Sequence, residues 1–570
     1  MVPDAVHRPE RLRSALLFFL ALIPAIGTAA IIHRWGVNVP YADEWSNLTL
    51  VEKWDTEELA FADLIRAHNG HRIFFPRLIY LVFAALFHGN LRAEMFFSLF
   101  LCCLTSAGFL LLLRRTMNAA TPRVFAVWAL INLFLFSPIQ AENWLWGFQL
   151  QIFLSNLCLI GVIAGLSAGS RSLLWFAVAL ACAVIGTFSF GNGLLLWPVG
   201  AVLLFCRADG RRRAIDWIGV GLFTVCAYFL GYHAENLSGL SSQWLDYPLF
   251  FLAFLGAPLA RIPNANPLVL PVIIGAVLTG MYAGAVVYCF RRRTLQKQAV
   301  WLAPGAYAIG SALLATATRT NFGVRHALDS RYTTIATLLL LSLIGLVAVL
   351  VLERPLIRRR TGVILGVSVL LVLYGVNLRF AFRYLEVHRD FRSQGKGALQ
   401  FSKITDAEEI VRETLLIREN PQIMEQYLAT LDRRQFALPA RRDTANLRDA
   451  EDRPQRSTEE YGTFESLKPG GANTFVATGW AYLPGDNRAA ACVILAAGHG
   501  NDWYAIALSD RRAHRADVLA KTGSTGHDLG WSGTVSLSRL APGKTEITAW
   551  ALNADTGETF RLPGSFVVEK

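Results

Sequence analysis

The sequence predicts a polytopic α-helical membrane protein with an all-β sandwich domain at its C-terminal end. Apolar runs of about twenty residues, each long enough to cross a bilayer core, recur along the first 380 positions. Arginine pairs and triplets punctuate those runs, as expected of short loops that set membrane orientation. Beyond residue 465 the pattern changes to strict alternation in short stretches separated by Pro-Gly turns. Composition agrees with this division. Of 570 residues 54% are hydrophobic and 17% charged, with a mean hydropathy of +0.38; soluble chains carry nearer a quarter charged. The net charge of +12 lies largely in loop arginines and needs no nucleic-acid partner. Seven of the eight cysteines fall in apolar segments and Cys492 stands alone in the tail, which leaves no disulfide framework and no metal-site spacing.

The first span, residues 12–33, follows Arg8, Arg11 and Arg13 and reads as an uncleaved signal anchor. Further spans are expected at 93–113, 122–138, 148–167, 172–188, 193–206, 214–232, 268–290, 299–317, 332–352 and 361–379, eleven in all. Segments 73–88 and 247–260 are apolar but short, and are read as interfacial helices. If 73–88 crossed, Arg114, Arg115, Arg123 and every later cluster (Arg171, Arg207 to Arg213, Arg291 to Arg293, Arg354 to Arg360) would lie outside. The outer loops are then 35–92, Ser137–Gly147, Ser189–Gly193, His233–Asn266 and Thr318–Arg331, and the C-terminus emerges outside. Asp55-Thr-Glu-Glu58 reads as a capping box that starts a surface helix. Residues 381–464 form a charged helical linker region, with periodicity in Asp406–Arg418 and Pro421–Arg433, and residues 465–570 form the sandwich. The transmembrane domain is residues 1–380.

The outer loops hold the candidate chemistry. Asp43 and Glu44 sit about ten residues past the first span between Tyr41 and Trp45; acids in a loop are usually just solvated, but His68, Asn69, His71 and Arg72 follow in the same loop. Arg72 has the fork geometry for a phosphate, whereas Arg77 reads as a snorkelling side chain. Glu142, Asn143 and Trp144 share a loop with further aromatics, which reads either as an interfacial belt or as a sugar-binding surface. Arg325, His326, Arg331 and Tyr332 cluster on the side that positive charge avoids, and so suggest an anion site or a partner for the Asp43 loop.

These features resemble the GT-C superfamily of integral-membrane glycosyltransferases, in the branch with protein O-mannosyltransferases and aminoarabinose transferases. The likeness rests on Asp43–Glu44 in the first outer loop, on Phe74–Glu94 with Pro76, Gly89-Asn90 and Arg92, and on the arginine-bounded spans that follow. It covers roughly the first 380 residues, and His68–Arg72 departs from the better-known branches. The resemblance implies a polyprenyl-phosphate-linked sugar as donor and a glycan, lipid or protein of the cell envelope as acceptor. The enzyme would lie in the cytoplasmic (inner) membrane of a bacterial-type cell, with its tail extracytoplasmic. It also implies Asp43 as general base with Glu44 beside it, and His71, Arg72, Arg325 and Arg331 on the donor phosphate. Substrate contacts would fall to His68, Asn69, Glu142, Asn143, Trp144, His326 and Tyr332. Such a transfer inverts the anomeric centre. It demands no cofactor, though the outer carboxylates could hold a divalent ion such as Mg or Mn. Two other classes are open: a transporter or flippase of a lipid-linked glycan, and a non-catalytic envelope-assembly protein. A transporter would bury ionisable residues at mid-membrane and break helices in both halves.

Overall fold

A computed structural model describes residues 4–570 apart from 169–171, 208–209, 233–242, 261–266, 352–356, 435, 437–439, 448–460, 472, 500–501 and 525–527. Arg171, Arg354 and much of the His233–Asn266 loop therefore lie outside the described residues, as does the end of the linker. The chain divides into two compact units, and the division does not follow the sequence boundary at 380. One unit comprises Met1–Gly36, Glu58–Val82 and Arg92–Arg383; the other comprises Val37–Glu57, Phe83–Leu91 and Tyr384–Lys570.

The first unit is helical. Eight helices among the described residues are long and apolar enough to cross a membrane. They correspond to α1 (Asp4–Trp35), α5 (Leu91–Thr116), α6 (Thr121–Leu135), α8 (Leu150–Ser167), α13 (Val269–Arg291), α14 (Leu295–Arg319), α15 (Ser330–Val351) and α16 (Ile357–Phe401). The other three expected spans are shorter or more charged: α9 (Leu173–Thr187), α10 (Leu196–Phe205) and α11 (Arg211–Phe229). The two segments read as interfacial form α4 (Phe74–Leu86) and α12 (Asp246–Gly256). Helices that are apolar on every side pack by close approach, not by amphipathic faces. At the α12–α13 crossing a Cβ on Gly256 would lie 1.9 Å from Pro271 O, and one on Gly275 1.9 Å from Leu252 O. No larger residue fits either place. Some of the polar groups inside are paired across helices. Asn132 on α6 donates to Ala21 O on α1 (2.8 Å) and accepts from Ser106 Oγ on α5 (2.6 Å).

The second unit is built from three stretches of chain. Its β-sandwich has a four-stranded antiparallel sheet in the order β11 (Thr559–Glu569), β10 (Lys544–Leu552), β6 (Cys492–His499), β7 (Asp502–Leu508). The second sheet runs β3 (Gly462–Gly471), β4 (Thr474–Leu483), β9 (Gly530–Ser536), β8 (Arg511–Ala513), with β5 (Arg488–Ala489) paired to β4. Phe464, Ala477, Val493, Leu495, Trp531 and Ile547 from both sheets share one core. The six expected strands are all present, and β3 begins ahead of the expected boundary. Its Pro469 and terminal glycines disguise it, and it is tolerated because β3 is an edge strand.

Helix α16 does not stop at residue 379. Its last turns lie on the sandwich, where Lys396 Nζ reaches Asp555 (2.7 Å) and Gln400 Nε2 donates to Ala554 O (2.8 Å). A Cβ on Gly397 would lie 2.8 Å from Cys492 Sγ, so glycine is what allows this approach. Helices α17 (Glu408–Thr414) and α18 (Pro421–Arg434) follow, within the stretches of expected periodicity.

The two ends of the first outer loop, Val37–Glu57 and Phe83–Leu91, belong to this unit too. Its 3-10 turn Ala42–Glu44 leads into α2 (Trp45–Asp55). Ala42 N–H donates to Leu415 O (2.9 Å), Trp45 stacks on Tyr427, and the Arg392 guanidinium sits 3.9 Å over the Tyr41 ring. Asp55 corrects the sequence reading: it ends α2 and pairs with Arg434, and does not cap the next helix. That helix, α3 (Phe61–Ile65), is begun by Asp63, whose Oδ2 accepts the Ala60 N–H at 3.0 Å.

Candidate functional site

The candidate residues fall in both units, and each group is described on its own. In the second unit the Asp43–Glu44 pair divides its labour. Glu44 is buried, and its Oε2 accepts the backbone N–H of Tyr41 at 2.9 Å, which closes the 3-10 turn. Asp43 is half-buried at the first turn leading into α2, and its carbonyl accepts from Ser46 Oγ (2.7 Å). The loop that presents Asp43 is held by the Tyr41 ring, between Arg392 and the edge of His388.

In the first unit, His68–Arg72 forms a β-hairpin, β1 (Ala67–His68) and β2 (His71–Arg72), with His68 opposite His71. Asn69 and Gly70 have φ of +47° and +80°, the positive values that a two-residue Asn-Gly turn requires. Asn69 is exposed at the tip, with its Nδ2 3.2 Å from His68 Nε2. His68 leans on the Phe148 ring, and His71 lies against Phe190.

Arg72 corrects the expectation of a phosphate ligand. It is buried, and its guanidinium donates to the carbonyls of Tyr228 (2.5 Å), Ile65 (2.8 Å) and Leu230 (2.6 Å). It fastens the hairpin to the end of α11. Arg77 does the same for α3, donating to the carbonyls of Asp63, Leu64 and Arg66 left over at that helix's C-terminus. Trp144 is a second correction. Its ring is fully buried between Phe136 and Phe153, and its N–H goes to Ser137 O (3.0 Å), so it is core and offers no sugar platform.

The structure does bring together Glu142, Asn143, His326, Arg331 and Tyr332. The short helix α7 (Ala141–Leu145) is tied to the start of α15: Arg331 N–H donates to Glu142 Oε2 (3.3 Å), and Asn143 Nδ2 donates to Arg331 O (3.0 Å) and Thr334 Oγ1 (2.6 Å). A carboxylate at a helix N-terminus also gains from the helix dipole. Beside it lies a residue that sequence reading passed over, Asp329. Its Oδ2 accepts from Arg331 Nη2 (2.9 Å) and lies 2.9 Å from His326 Nδ1. On the other ring nitrogen, His326 Nε2 is 3.1 Å from Arg331 Nη2 and 3.2 Å from the Tyr332 hydroxyl. A guanidinium can only donate, so Nε2 accepts and the ring proton sits on Nδ1, directed at Asp329. The result is a carboxylate–imidazole–phenol chain with a guanidinium bound to its first two members. Arg325 is exposed on the same 3-10 turn, Val324–Leu328. An acid three residues after a histidine, in His326-Ala-Leu-Asp329, was the available signal.

Among the described residues no group of three or more His, Cys, Asp or Glu side chains converges to hold a metal ion. Compared with protein-family models, with curated proteins and with solved structures, the chain gives no match.

Proposed function

We propose that this chain is a membrane-bound glycosyltransferase that moves a sugar from a polyprenyl-phosphate donor to a hydroxyl-bearing acceptor. The observation that carries this reading is the cluster in the loops at one end of the helical unit. There an imidazole oriented by a carboxylate stands beside a guanidinium and a phenol. That end is the one away from Arg123 and Arg291 to Arg293, and by the positive-inside rule it faces out of the cytoplasm.

The chemistry needs few groups. A base takes the proton from the acceptor hydroxyl as its oxygen bonds to the anomeric carbon. The bond from that carbon to the phosphate oxygen breaks on the opposite face, and the phosphate leaves with the electron pair. Charge on the leaving group is met by a guanidinium, and no acid is required. In this reading Arg331 and Arg325 serve the phosphate. Each unit supplies one candidate base: Asp43, and His326 backed by Asp329. A transporter is less well supported. Among the described residues the buried charged side chains of the helical unit are Arg72, Arg77 and Glu94, all in loops or first turns and none at mid-span.

The test is transfer from a polyprenyl-phosphate sugar by the purified full-length chain, after glycan mass spectrometry with and without the gene has named the sugar. Asp43→Asn, His326→Gln and Asp329→Asn are compared at matched folding. Loss of the base should lower the rate by about 10²-fold or more. Transfer at full rate in all three variants would end the reading.

A further inference from the structure

Toward the opposite end of the helical unit the described helices enclose a gap. Helix α16 stands away from α1, α6, α13 and α15 and leaves a cavity of about 1470 Å³ between them. Pockets for drug-sized ligands hold roughly 300–1,000 Å³. The walls are aliphatic, with Leu20, Leu130, Val277, Ile344 and Leu370 among them, and among the described residues the single charged lining residue is Arg123. Along α6 the lining runs from Arg123 to Leu133. At 1.5 Å per residue that is a depth of about 15 Å, or half the ~30 Å hydrocarbon core. The cavity is therefore one leaflet deep. Its charged end is also the end of the unit where α1 begins and α13 finishes. Arg13 stands four residues before the lining residue Leu17, on the same face of α1.

We infer that this cavity is a binding site for one anionic phospholipid of the cytoplasmic leaflet, with its chains between α16 and the bundle and its phosphate at Arg123 and Arg13. Three properties select this occupant. An apolar volume of this size inside a bilayer fills with hydrocarbon. Its depth matches the chains of one leaflet and not a spanning segment. The exposed guanidinium of Arg123 at its rim favours a negative headgroup, as basic pockets between helices on the cytoplasmic side do. The site is distinct from the proposed transfer chemistry, which lies at the other end of α6 and α15, and it does not depend on that reading.

The test uses the full-length chain reconstituted in nanodiscs of mixed phosphatidylglycerol and phosphatidylcholine, released into mild detergent and weighed intact by native mass spectrometry. The parent chain should retain one phosphatidylglycerol, enriched roughly fivefold or more over phosphatidylcholine. Arg123→Ala should abolish the enrichment, and Arg123→Lys should keep most of it. Gly366 lines the cavity and a Cβ there meets nothing within 4 Å, so Gly366→Trp can fill the space while favouring the helix. It should expel lipid of both kinds while circular dichroism stays unchanged. Inorganic phosphate should not protect the parent from thermal unfolding, whereas phosphatidylglycerol should. Equal retention of the two lipids by the parent chain, or retention undiminished in Gly366→Trp, would overturn the assignment.

Discussion

Two arginines set the limits of what single residues do here. Arg72 and Arg77 each place a guanidinium on three backbone carbonyls, and both are buried. Removing either leaves carbonyls without donors in a dry site. Arg72→Ala should therefore cost about 2–3 kcal/mol of stability, read as a fall in thermal midpoint in detergent. A variant with unchanged midpoint would show that the three bonds carry no net energy. The two acids of the first loop should separate in the same way. Glu44→Gln keeps an acceptor for the Tyr41 N–H and should change both stability and transfer by less than a factor of a few. Asp43→Asn removes basicity at a half-buried carboxylate, and its effect should appear in transfer alone. A large loss of folding in Asp43→Asn would make that residue structural. The sequence showed which residue types crowd the outer loops but not which are spent on the backbone. That depends on where α11 ends, and nothing in His68–Arg72 itself points to the carbonyls of Tyr228 and Leu230.

At the scale of elements, the sandwich and the end of α16 behave as one object. Lys396, Gln400 and Gly397 face the sandwich, and Leu447 and Ala445 bond to Trp503 and Ala505 on the β7 edge. A fragment beginning at Glu465 would lose these contacts and the start of β3. A fragment of Tyr384–Lys570 should give a cooperative thermal transition at a clearly higher temperature than Glu465–Lys570; equal midpoints would show that the helix adds nothing. Alternation along the strands made the sandwich legible, while a helix that turns from apolar to charged near residue 380 looked like two elements. The sandwich should also respond to acid. Hydrogen bonding from Arg515 holds the Asp517 carboxyl down at about 2. A depressed carboxylate stabilises the fold above its ordinary pKa of about 3.9, and that contribution fades as pH falls toward 2. Arg515→Gln should thus lower stability at pH 6 and narrow the difference from the parent below pH 3. A difference that persists unchanged at pH 2 would place the effect outside this pair.

For the whole molecule, the composition of the compact units constrains the path through the membrane. Val37–Glu57 and Tyr384–Lys570 belong to one unit, so with that unit on one side of a membrane the chain between them crosses an even number of times. Among the described residues seven long helices follow α1, an odd number, so this condition requires at least one shorter segment to cross as well. Adding α9, α10 and α11 gives ten and satisfies the condition, whereas adding α4 to that set breaks it. Hydropathy alone could not decide this, because α9 spans only about 22 Å at 1.5 Å per residue and falls short of a full core. Loop arginines and the pairing of Ala42 with Leu415 point the same way by independent routes. The expected outcome is that both the Asp43 loop and the sandwich face out of the cytoplasm. Single cysteines at Thr56 and Gly485, both exposed, should react in intact cells with a membrane-impermeant maleimide, and one at Asn118, between α5 and α6, should react only after permeabilisation. Labelling of Asn118→Cys in intact cells would place α4 across the membrane and invert every later loop. Reaction at Thr56→Cys without reaction at Gly485→Cys would separate the two stretches and contradict the unit they share.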